Sequence, residues 1–237
     1  MTPERVLVTG ASRGIGRAVV QRLLASDRGV IAVARTEAAL SELKREAPER
    51  VEVLVADLLQ PEGLAKACDA AVRVDGLVHA AGLAEHRVLE RIEDEQIERA
   101  FGLHLRVPLH LSRALVSGRR ESERGGAIVF VASTLGVRPA PGTIVYSASK
   151  AALLNMTKAL AAELAPDGVC VNAVAPGAVD TAMIRSRSEA ELEALRKQHL
   201  LGRLGTPQEV ADAVVYLLDA QWVTGATLTI DGGLTAT

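Results

Sequence analysis

Aromatic side chains are scarce in this sequence. Only 2% of the 237 residues are aromatic, and they comprise one Trp, two Tyr and two Phe. A hydrophobic core must therefore be built from Ala, Val and Leu, and each aromatic residue needs its own explanation. Tyr216 lies within the apolar run 214–218, which predicts that its ring packs inside the protein. Tyr146 lies among serines and a lysine, so it is a candidate functional residue.

Closely spaced cysteines, an excess of one charge and long apolar runs are also missing. Cys68 and Cys170 lie far apart in apolar surroundings, which predicts buried free thiols and no metal site. Lys and Arg total 27 against 29 Asp and Glu, whereas nucleic-acid-binding proteins usually carry a basic excess. No uncharged segment approaches 18 apolar residues, and the first residues lack the pattern of a signal peptide. The sequence therefore predicts a cytoplasmic protein with neither a membrane nor a nucleic-acid partner.

Short β-branched runs alternate along the chain with longer segments of helical periodicity. This alternation is typical of a parallel sheet covered by helices on both faces. The predicted strands are Arg5–Thr9, Val30–Ala34, Val51–Ala56, Gly76–Ala80, Ala127–Ala132, Val169–Val174 and Thr227–Ile230. The predicted helices are Ile15–Ser26, Glu37–Glu46, Pro61–Ala71, Asp94–Ser117, Ile144–Leu164 and Pro207–Asp219. The expected fold is α/β: one Rossmann-type domain over residues 1–237, with a doubly wound sheet of seven parallel strands.

The charged segment 180–201 interrupts this alternation. It separates a predicted strand from the last predicted helix and carries many Arg and Glu side chains. A substrate lid near 180–201 is the functional interpretation, and a solvated surface helix is the structural one.

A glycine-rich loop joins the first predicted strand to the first helix. Glycines there let the backbone approach a pyrophosphate, whose charge is favoured by exposed N–H groups at a helix N-terminus. Because strand, loop and helix follow in the required order, dinucleotide binding is favoured over a purely structural turn. The candidate contacts in this loop are Gly10, Ser12, Arg13, Gly14, Ile15 and Gly16.

The end of the second strand predicts which dinucleotide binds. An NAD site usually has Asp or Glu there, which accepts hydrogen bonds from the ribose 2′-OH. This chain has Arg35 instead. Together with Arg13 it can hold a 2′-phosphate, because guanidinium forms paired hydrogen bonds to phosphate oxygens. NADP(H) is therefore preferred over NAD(H), unless both arginines are plain surface charges.

Tyr146 and Lys150 are four residues apart in a predicted helix, so they share one face. A free phenol has a pKa of ~10, and a nearby cation stabilises the phenolate. Ser133 follows the fifth strand, at the sheet edge where open α/β folds bind ligands. With a nicotinamide there, the three residues predict carbonyl reduction: Ser133 binds the carbonyl oxygen, Tyr146 donates the proton, and Lys150 lowers the phenol pKa and holds the ribose.

Taken together, these motifs resemble the short-chain dehydrogenase/reductase family, in its form of about 250 residues, over nearly the whole chain. The resemblance implies that Asp57 and Leu58 contact the adenine, and that Tyr146 and Lys150 also contact the cofactor. Further cofactor contacts that it implies are Ala80, Ala81, Gly82, Pro176, Gly177, Val179 and Thr181.

Two positions depart from the family pattern. The family usually has Asn-Asn-Ala-Gly where this chain has His79-Ala80-Ala81-Gly82, so a side-chain amide that braces the central sheet is missing. His104 stands at the usual position of the active-site Asn, whose main-chain carbonyl holds a water in the proton path to the lysine. This histidine either retains that carbonyl and titrates near pH 6.5, or disturbs the helix kink, or is a packed residue without a catalytic part.

The resemblance leads to two hypotheses about function. The first is an NADP(H)-dependent oxidoreductase that reduces a ketone or oxidises a secondary alcohol, similar to the 3-oxoacyl carrier-protein reductases. The alternative is a catalytically weak relative that binds NADP(H) and acts as a regulator or scaffold. A carrier-protein partner is doubtful, because Arg124 fits one docking position but Asp167 stands where a second basic residue is usual. The family also implies a homo-oligomer, a tetramer or dimer formed by the helices near 94–117 and 144–164.

Overall fold

The computed structural model describes residues 2–122, 125–185 and 187–236. Its centre is one sheet of seven parallel strands in the order β3-β2-β1-β4-β5-β6-β7. The strands are β1 Arg5–Thr9, β2 Gly29–Ala34, β3 Val51–Val55, β4 Gly76–His79, β5 Gly126–Val131, β6 Val169–Pro176 and β7 Thr227–Ile230. The predicted fold class is confirmed. Because the strand order reverses between β1 and β4, the carboxyl ends of these two strands border a crevice.

Helices cover both faces of the sheet. They are α1 Gly14–Ala25, α2 Glu37–Glu46, α3 Pro61–Ala71, α4 Asp94–Phe101, α5 Val107–Ser122, α6 Ile144–Leu164, α7 Ala182–Arg185, α8 Glu189–Gln198 and α9 Pro207–Asp219. Pro61 and Pro207 occupy the first turns of their helices, where the missing N–H costs no hydrogen bond. No helix in the described parts of the chain is long and apolar enough to cross a membrane.

The segment predicted as one helix over 94–117 consists of two helices joined by a π-helical turn, Gly102–Arg106. Pro108 explains the interruption. It has no N–H to donate to the carbonyl of His104, and its ring crowds that carbonyl in a regular α-helix. The N–H of Val107 consequently bonds to the Gly102 carbonyl, five residues back. The turn widens the helix beside the carboxyl ends of β4 and β5.

Side chains from both faces of the strands build two cores. In β1, Val6 and Val8 lie in the core covered by α1 and α9, and Leu7 lies in the core covered by α3 and α5. This alternation follows from the two-residue period of a strand buried on both faces. The larger buried side chains are Leu, Ile and Val, and Phe130 is the fully buried aromatic residue.

The expectation that Tyr216 packs in the core is wrong. Its side chain is 58% exposed, and Trp222 just beyond α9 is 98% exposed. The helical period explains this, because Val214, Leu217 and Leu218 turn inward and Tyr216 falls on the outer face. The cysteines are also less buried than expected, since Cys68 and Cys170 are both partly exposed free thiols.

The segment 180–201 contains α7 and α8, and neither helix has a buried side chain. Its end is nevertheless anchored. His199 is buried, accepts the Ala178 N–H at Nε2 (3.2 Å) and donates from Nδ1 to the Leu195 carbonyl (2.7 Å). A substrate lid in this segment and the single-domain organisation stay predictions.

Candidate active site

The glycine loop lies where the sequence places it, between β1 and α1. Gly10 has φ +69°, and a Cβ on it would lie only 2.8 Å from the backbone nitrogen of Ala81. A Cβ on Gly16 would overlap the Gly10 carbonyl oxygen. A Cβ on Gly14 would lie 3.3 Å from the Thr181 methyl group. The loop therefore packs against the segments after β4 and β6, and larger side chains would fill the cradle.

Arg13 and Arg35 are both exposed at this edge of the sheet. Arg13 precedes the first turn of α1, and Arg35 follows β2. The Ala11 N–H bonds to the Val33 carbonyl (3.2 Å), which brings the glycine loop next to the end of β2. Among the described residues, no carboxylate lies within 4.0 Å of either guanidinium group. Both cations are therefore available to a ligand.

The remaining predicted cofactor contacts lie along the same edge. The Asp57 carboxylate accepts the N–H of Leu59 (3.0 Å). The Leu58 side chain is buried in the core, so contact with a ligand there would have to use its backbone. Val179 is buried beside Gly205, to which it forms an isolated β-bridge. Further residues placed at this edge, after β4 or around the end of β6, are Ala80, Ala81, Gly82, Pro176, Gly177 and Thr181.

Ser133, Tyr146 and Lys150 are brought together by β5 and α6. Ser133 is buried two residues after β5, and its Oγ accepts the N–H of Leu135 (3.1 Å). Its hydroxyl also lies close enough to the Tyr146 phenol to lower the pKa of that group. The Lys150 Nζ lies 5.8 Å from the centroid of the Tyr146 ring and donates to the carbonyl of Val131 (2.8 Å). The three predicted residues thus form one cluster at the carboxyl edge of the sheet.

Burial sets the charge states of this cluster. It raises the pKa of the Tyr146 phenol, and the hydrogen bond from Ser133 opposes that rise only in part. Burial also lowers the pKa of the Lys150 ammonium from 10.5 to about 7. The sequence predicts that Lys150 lowers the phenol pKa, but in the folded chain desolvation is the largest effect on Tyr146 and raises its pKa. Tyr146 is therefore a protonated phenol at neutral pH, which suits a proton donor.

His79, at the end of β4, links this strand to β1 and to the π-helical turn. Its Nε2 donates to the Leu103 carbonyl (2.9 Å), so a neutral ring must accept at Nδ1, where the Thr9 hydroxyl lies at 2.9 Å. The Thr9 hydroxyl in turn accepts the N–H of Ala81 (3.1 Å). Burial, aided by the charge of Lys150, lowers the pKa of His79 from 6.5 to about 3, so the ring is neutral.

His104 is fully buried in the π-helical turn. Its Nε2 accepts the N–H of Leu83 (3.2 Å), so Nδ1 carries the proton and donates to the Ser149 hydroxyl (2.8 Å). The imidazole also meets the Tyr146 ring edge to face, with 5.7 Å between the centroids. Burial is the largest of the effects that lower its pKa, and Lys150 adds to it. The alternative of a histidine that titrates near pH 6.5 is therefore wrong for this environment.

Several residues of the site escape the sequence reasoning. His86 stacks on the Tyr146 ring with 6.2 Å between the centroids. Thr9 and Ser149 complete the hydrogen bonds of the two buried histidines. The signal for His79 was present, since it occupies a position where the family has an amide, but its partner lies 24 residues away in sequence. Arg124, the candidate docking residue, lies outside the described residues.

Known proteins are similar to this chain over nearly its whole length. A family model described as "Enoyl-(Acyl carrier protein) reductase" matches residues 10–235. The chain is 36% identical over 238 residues to "Uncharacterized oxidoreductase YmfI" of Bacillus subtilis (strain 168), covering 97% of this chain and 98% of that protein. It is also 36% identical over 234 residues to 3-oxoacyl-[acyl-carrier-protein] reductase FabG of Vibrio harveyi, covering 96% of each.

Solved structures give the same result. 4-Hydroxyisoleucine dehydrogenase complexed with NADH superposes with a TM-score of 0.93 at 28% identity, covering 99% of both chains. A short chain dehydrogenase/reductase family protein superposes with a TM-score of 0.91 at 30% identity, covering 98% of this chain and 97% of that one. The matched family model and the relatives span nearly the whole chain. It is an oxidoreductase that belongs to the short-chain dehydrogenase/reductase family.

Proposed function

We propose that this oxidoreductase reduces a ketone to a secondary alcohol with NADPH, or catalyses the reverse oxidation. The observation that carries the proposal is the cluster of Ser133, Tyr146 and Lys150 beside the glycine loop. Its two hydroxyl groups converge, as recognition and protonation of one carbonyl oxygen require. The description of the matched family model names an enoyl reductase, whereas the Vibrio relative is named a 3-oxoacyl reductase. The convergent hydroxyl groups favour a carbonyl over a carbon–carbon double bond.

In this proposal each residue of the cluster has its own role. Ser133 donates a hydrogen bond to the carbonyl oxygen, and Tyr146 gives its phenolic proton to the same atom. Because burial raises the pKa of Tyr146, the phenol is protonated at neutral pH and has a proton to give. Lys150, whose pKa is about 7, carries positive charge on part of the molecules at that pH and stabilises the phenolate left behind. A bound nicotinamide dinucleotide supplies the hydride that reaches the carbonyl carbon.

The loop fits such a dinucleotide. Its glycines leave room that a Cβ would fill, and exposed N–H groups at the start of α1 favour a pyrophosphate. The preference for NADP(H) rests on Arg13 and Arg35, which have no carboxylate partner among the described residues. One structural neighbour was solved with NADH, so this preference needs its own test.

The proposed substrate shares its ketone with the substrate that the Vibrio relative is named for, but not the carrier protein. The Vibrio relative is named for a 3-oxoacyl group carried by a protein. In this chain Asp167 is ion-paired with Arg120 (2.7 Å), so the charge of this arginine is compensated and offers little attraction to an acidic carrier. We therefore propose a small-molecule ketone or a carrier-free 3-oxoacyl thioester as the substrate. A cytoplasmic location stays part of the proposal.

We also propose a homo-oligomer. Ala148, Ala151, Ala159 and Ala162 are exposed on one protomer, so they do not face the sheet of their own chain. Small side chains on α6 allow a second copy to approach closely. Light scattering on the purified protein should give a dimer or tetramer, and a strict monomer would refute this part of the proposal.

The decisive experiment measures NADPH oxidation with ethyl acetoacetate and with the N-acetylcysteamine thioester of 3-oxobutanoate. Turnover that disappears in Tyr146→Phe, while NADPH still binds, supports the proposal. Tight NADPH binding without turnover on either ketone and on a wider carbonyl panel would instead support the regulator or scaffold alternative. The same assay with a carrier-bound substrate shows whether a carrier protein adds to the rate.

A further inference from the structure

His104 makes two hydrogen bonds in opposite directions. Its Nδ1–H donates to the Ser149 hydroxyl on α6, and its Nε2 accepts the N–H of Leu83 in the loop after β4. A backbone N–H can only donate, so the proton position on this ring is fixed by Leu83. The imidazole therefore joins the π-helical turn to two other elements of the site at once.

The Ser149 contact continues to the proposed proton donor. The Ser149 hydroxyl donates onward to the backbone carbonyl of Tyr146 (2.8 Å). The imidazole and the Tyr146 ring also pack edge to face, with an interplanar angle of 87°. His104 thus restrains the backbone of Tyr146 through Nδ1 and Ser149, and it packs against the ring of the same residue.

The Leu83 contact leads to a different part of the site. Leu83 follows Ala80, Ala81 and Gly82, the predicted cofactor contacts. A Cβ placed on Gly82 would lie 3.4 Å from the His104 Nε2 and 3.7 Å from the Lys150 Nζ. The Nε2 side of His104 therefore holds the loop after β4 at the point where it passes Lys150.

The π-helical turn keeps the imidazole in this place. The Leu103 carbonyl lacks an intrahelical donor, because Pro108 has no N–H and the Val107 N–H bonds to Gly102. His79 satisfies that carbonyl from β4 (2.9 Å). The backbone next to His104 is therefore tied to the sheet, and the ring is a fixed support.

We propose that His104 is a positioning residue with two separable tasks: its Nδ1–H holds Tyr146 in place through Ser149, and its Nε2 holds the cofactor-facing loop through Leu83. The proposal rests on the proposed reductase function, in which Tyr146 protonates the substrate. It gives His104 no contact with the substrate and no proton transfer of its own.

Two substitutions separate the tasks by covalent geometry. In asparagine the amide nitrogen is bonded directly to Cγ, as Nδ1 is in histidine, so His104→Asn can still donate to Ser149 but does not reach Leu83. In glutamine the amide oxygen is two bonds from Cγ, as Nε2 is, so His104→Gln can accept from Leu83 but loses Ser149. One neutral hydrogen bond contributes about 1 kcal/mol, which corresponds to about a fivefold change in an equilibrium constant.

The expected kinetic result is a crossed pattern. His104→Asn should keep kcat within about threefold of the wild type and raise KM for NADPH about fivefold. His104→Gln should keep KM for NADPH and lower kcat by about tenfold or more, because small misplacements of a reacting group are costly. Adding Ser149→Ala to His104→Gln should lower kcat little further, because that variant has already lost the hydrogen bond to Ser149. Adding it to His104→Asn should lower kcat, because the hydrogen bond that this variant keeps is then removed. The same Asn and Gln changes at His110, a partly exposed histidine on α5, serve as matched controls.

A spectroscopic measurement tests the Tyr146 task without turnover. The chain has two tyrosines, so in a Tyr216→Phe background the ultraviolet titration of phenolate reports Tyr146 alone. His104→Gln should shift the pKa of Tyr146 back toward its ordinary value, because a displaced ring gains solvent, and His104→Asn should not. The NADPH dissociation constant, read from cofactor fluorescence, tests the Leu83 task in the same way.

These measurements keep the two proposals apart. Absence of ketone turnover in the wild type would refute the proposed function, whereas the phenol titration and NADPH binding would still decide the tasks of His104. Equal losses in the Asn and Gln variants would show a packing residue and overturn the inference. Unchanged behaviour of both variants would overturn it too.

Discussion

The preference for NADPH over NADH should depend on two exposed arginines. We expect the double variant Arg13→Gln, Arg35→Gln to lose most of the discrimination between the two cofactors. Both side chains lie at the edge where β1 and β2 end, exposed and without a carboxylate partner among the described residues. Nothing in this part of the structure competes with a 2′-phosphate for them.

The magnitude follows from their exposure. An ion pair at an exposed site contributes up to about 1 kcal/mol, and each 1.4 kcal/mol is a factor of ten. Two such contacts therefore account for about 2 kcal/mol, or about a 30-fold preference in kcat/KM. Each single variant should lose about fivefold. Arg35→Glu should lose more, because a carboxylate there repels the phosphate and accepts hydrogen bonds from an unphosphorylated ribose.

The assay compares kcat/KM for NADPH and NADH with one ketone at two salt concentrations. NADH is the internal standard, because damage to the glycine loop would lower both values together. Arg45→Gln is a matched control, since α2 runs back from this edge and places Arg45 at its far end. An unchanged NADPH/NADH ratio in the double variant, or a wild type that prefers NADH, would refute the reasoning.

Three further predictions concern Tyr146, His79 and Gly10. Tyr146→Phe should lower kcat by about 10²–10⁴-fold while NADPH still binds, and retention of full rate would disprove the assignment of the acid; Tyr216→Phe is the control. His79 is held neutral with its pKa at about 3, so below pH 6.5 the unfolded chain binds a proton that the folded chain does not. As the pH is lowered from 6.5 to 4, the free energy of unfolding should therefore fall by up to ~1.4 kcal/mol per pH unit more in the wild type than in His79→Asn. Urea unfolding measures this difference, and parallel plots of unfolding free energy against pH for the two proteins would contradict the prediction. Gly10→Ala should destabilise the fold by about 1–3 kcal/mol and weaken NADPH binding in a fluorescence titration, because its Cβ would meet Ala81 at a φ of +69°; wild-type stability and binding would argue against a required close approach.

Local patterns in the sequence are enough to predict the layers of this fold. Apolar periodicity gives the seven strands, and first-turn prolines fix the starts of α3 and α9. The glycine loop and the Tyr146–Lys150 pair are also readable, because each is defined by spacing within a few residues. The sequence does not predict the π-helical turn within the helix over 94–117, because one proline changes the hydrogen-bond pattern there without changing the apolar period.

Burial and distant contacts decide the chemistry of the site. The sequence suggests a lysine that lowers the phenol pKa, but desolvation in the folded chain raises the pKa of Tyr146 and lowers that of Lys150. The sequence also leaves three roles open for His104. The tertiary structure excludes titration near neutrality, because the ring is removed from water and held between Leu83 and Ser149.

The sequence by itself determined the class of the protein and the residue types of the site. Alternating strands and helices, the loop of Thr9 to Gly16 and the spacing of Tyr146 and Lys150 are local properties that survive without a structure. The tertiary structure decided how those residues are charged and supported, because solvation and hydrogen-bond partners depend on elements that are far apart in the chain. His79 and Leu103 meet across 24 positions, and His104 and Ser149 across 45. No local sequence pattern encodes contacts between residues so far apart. These contacts, together with burial, determine which groups at the site stay neutral.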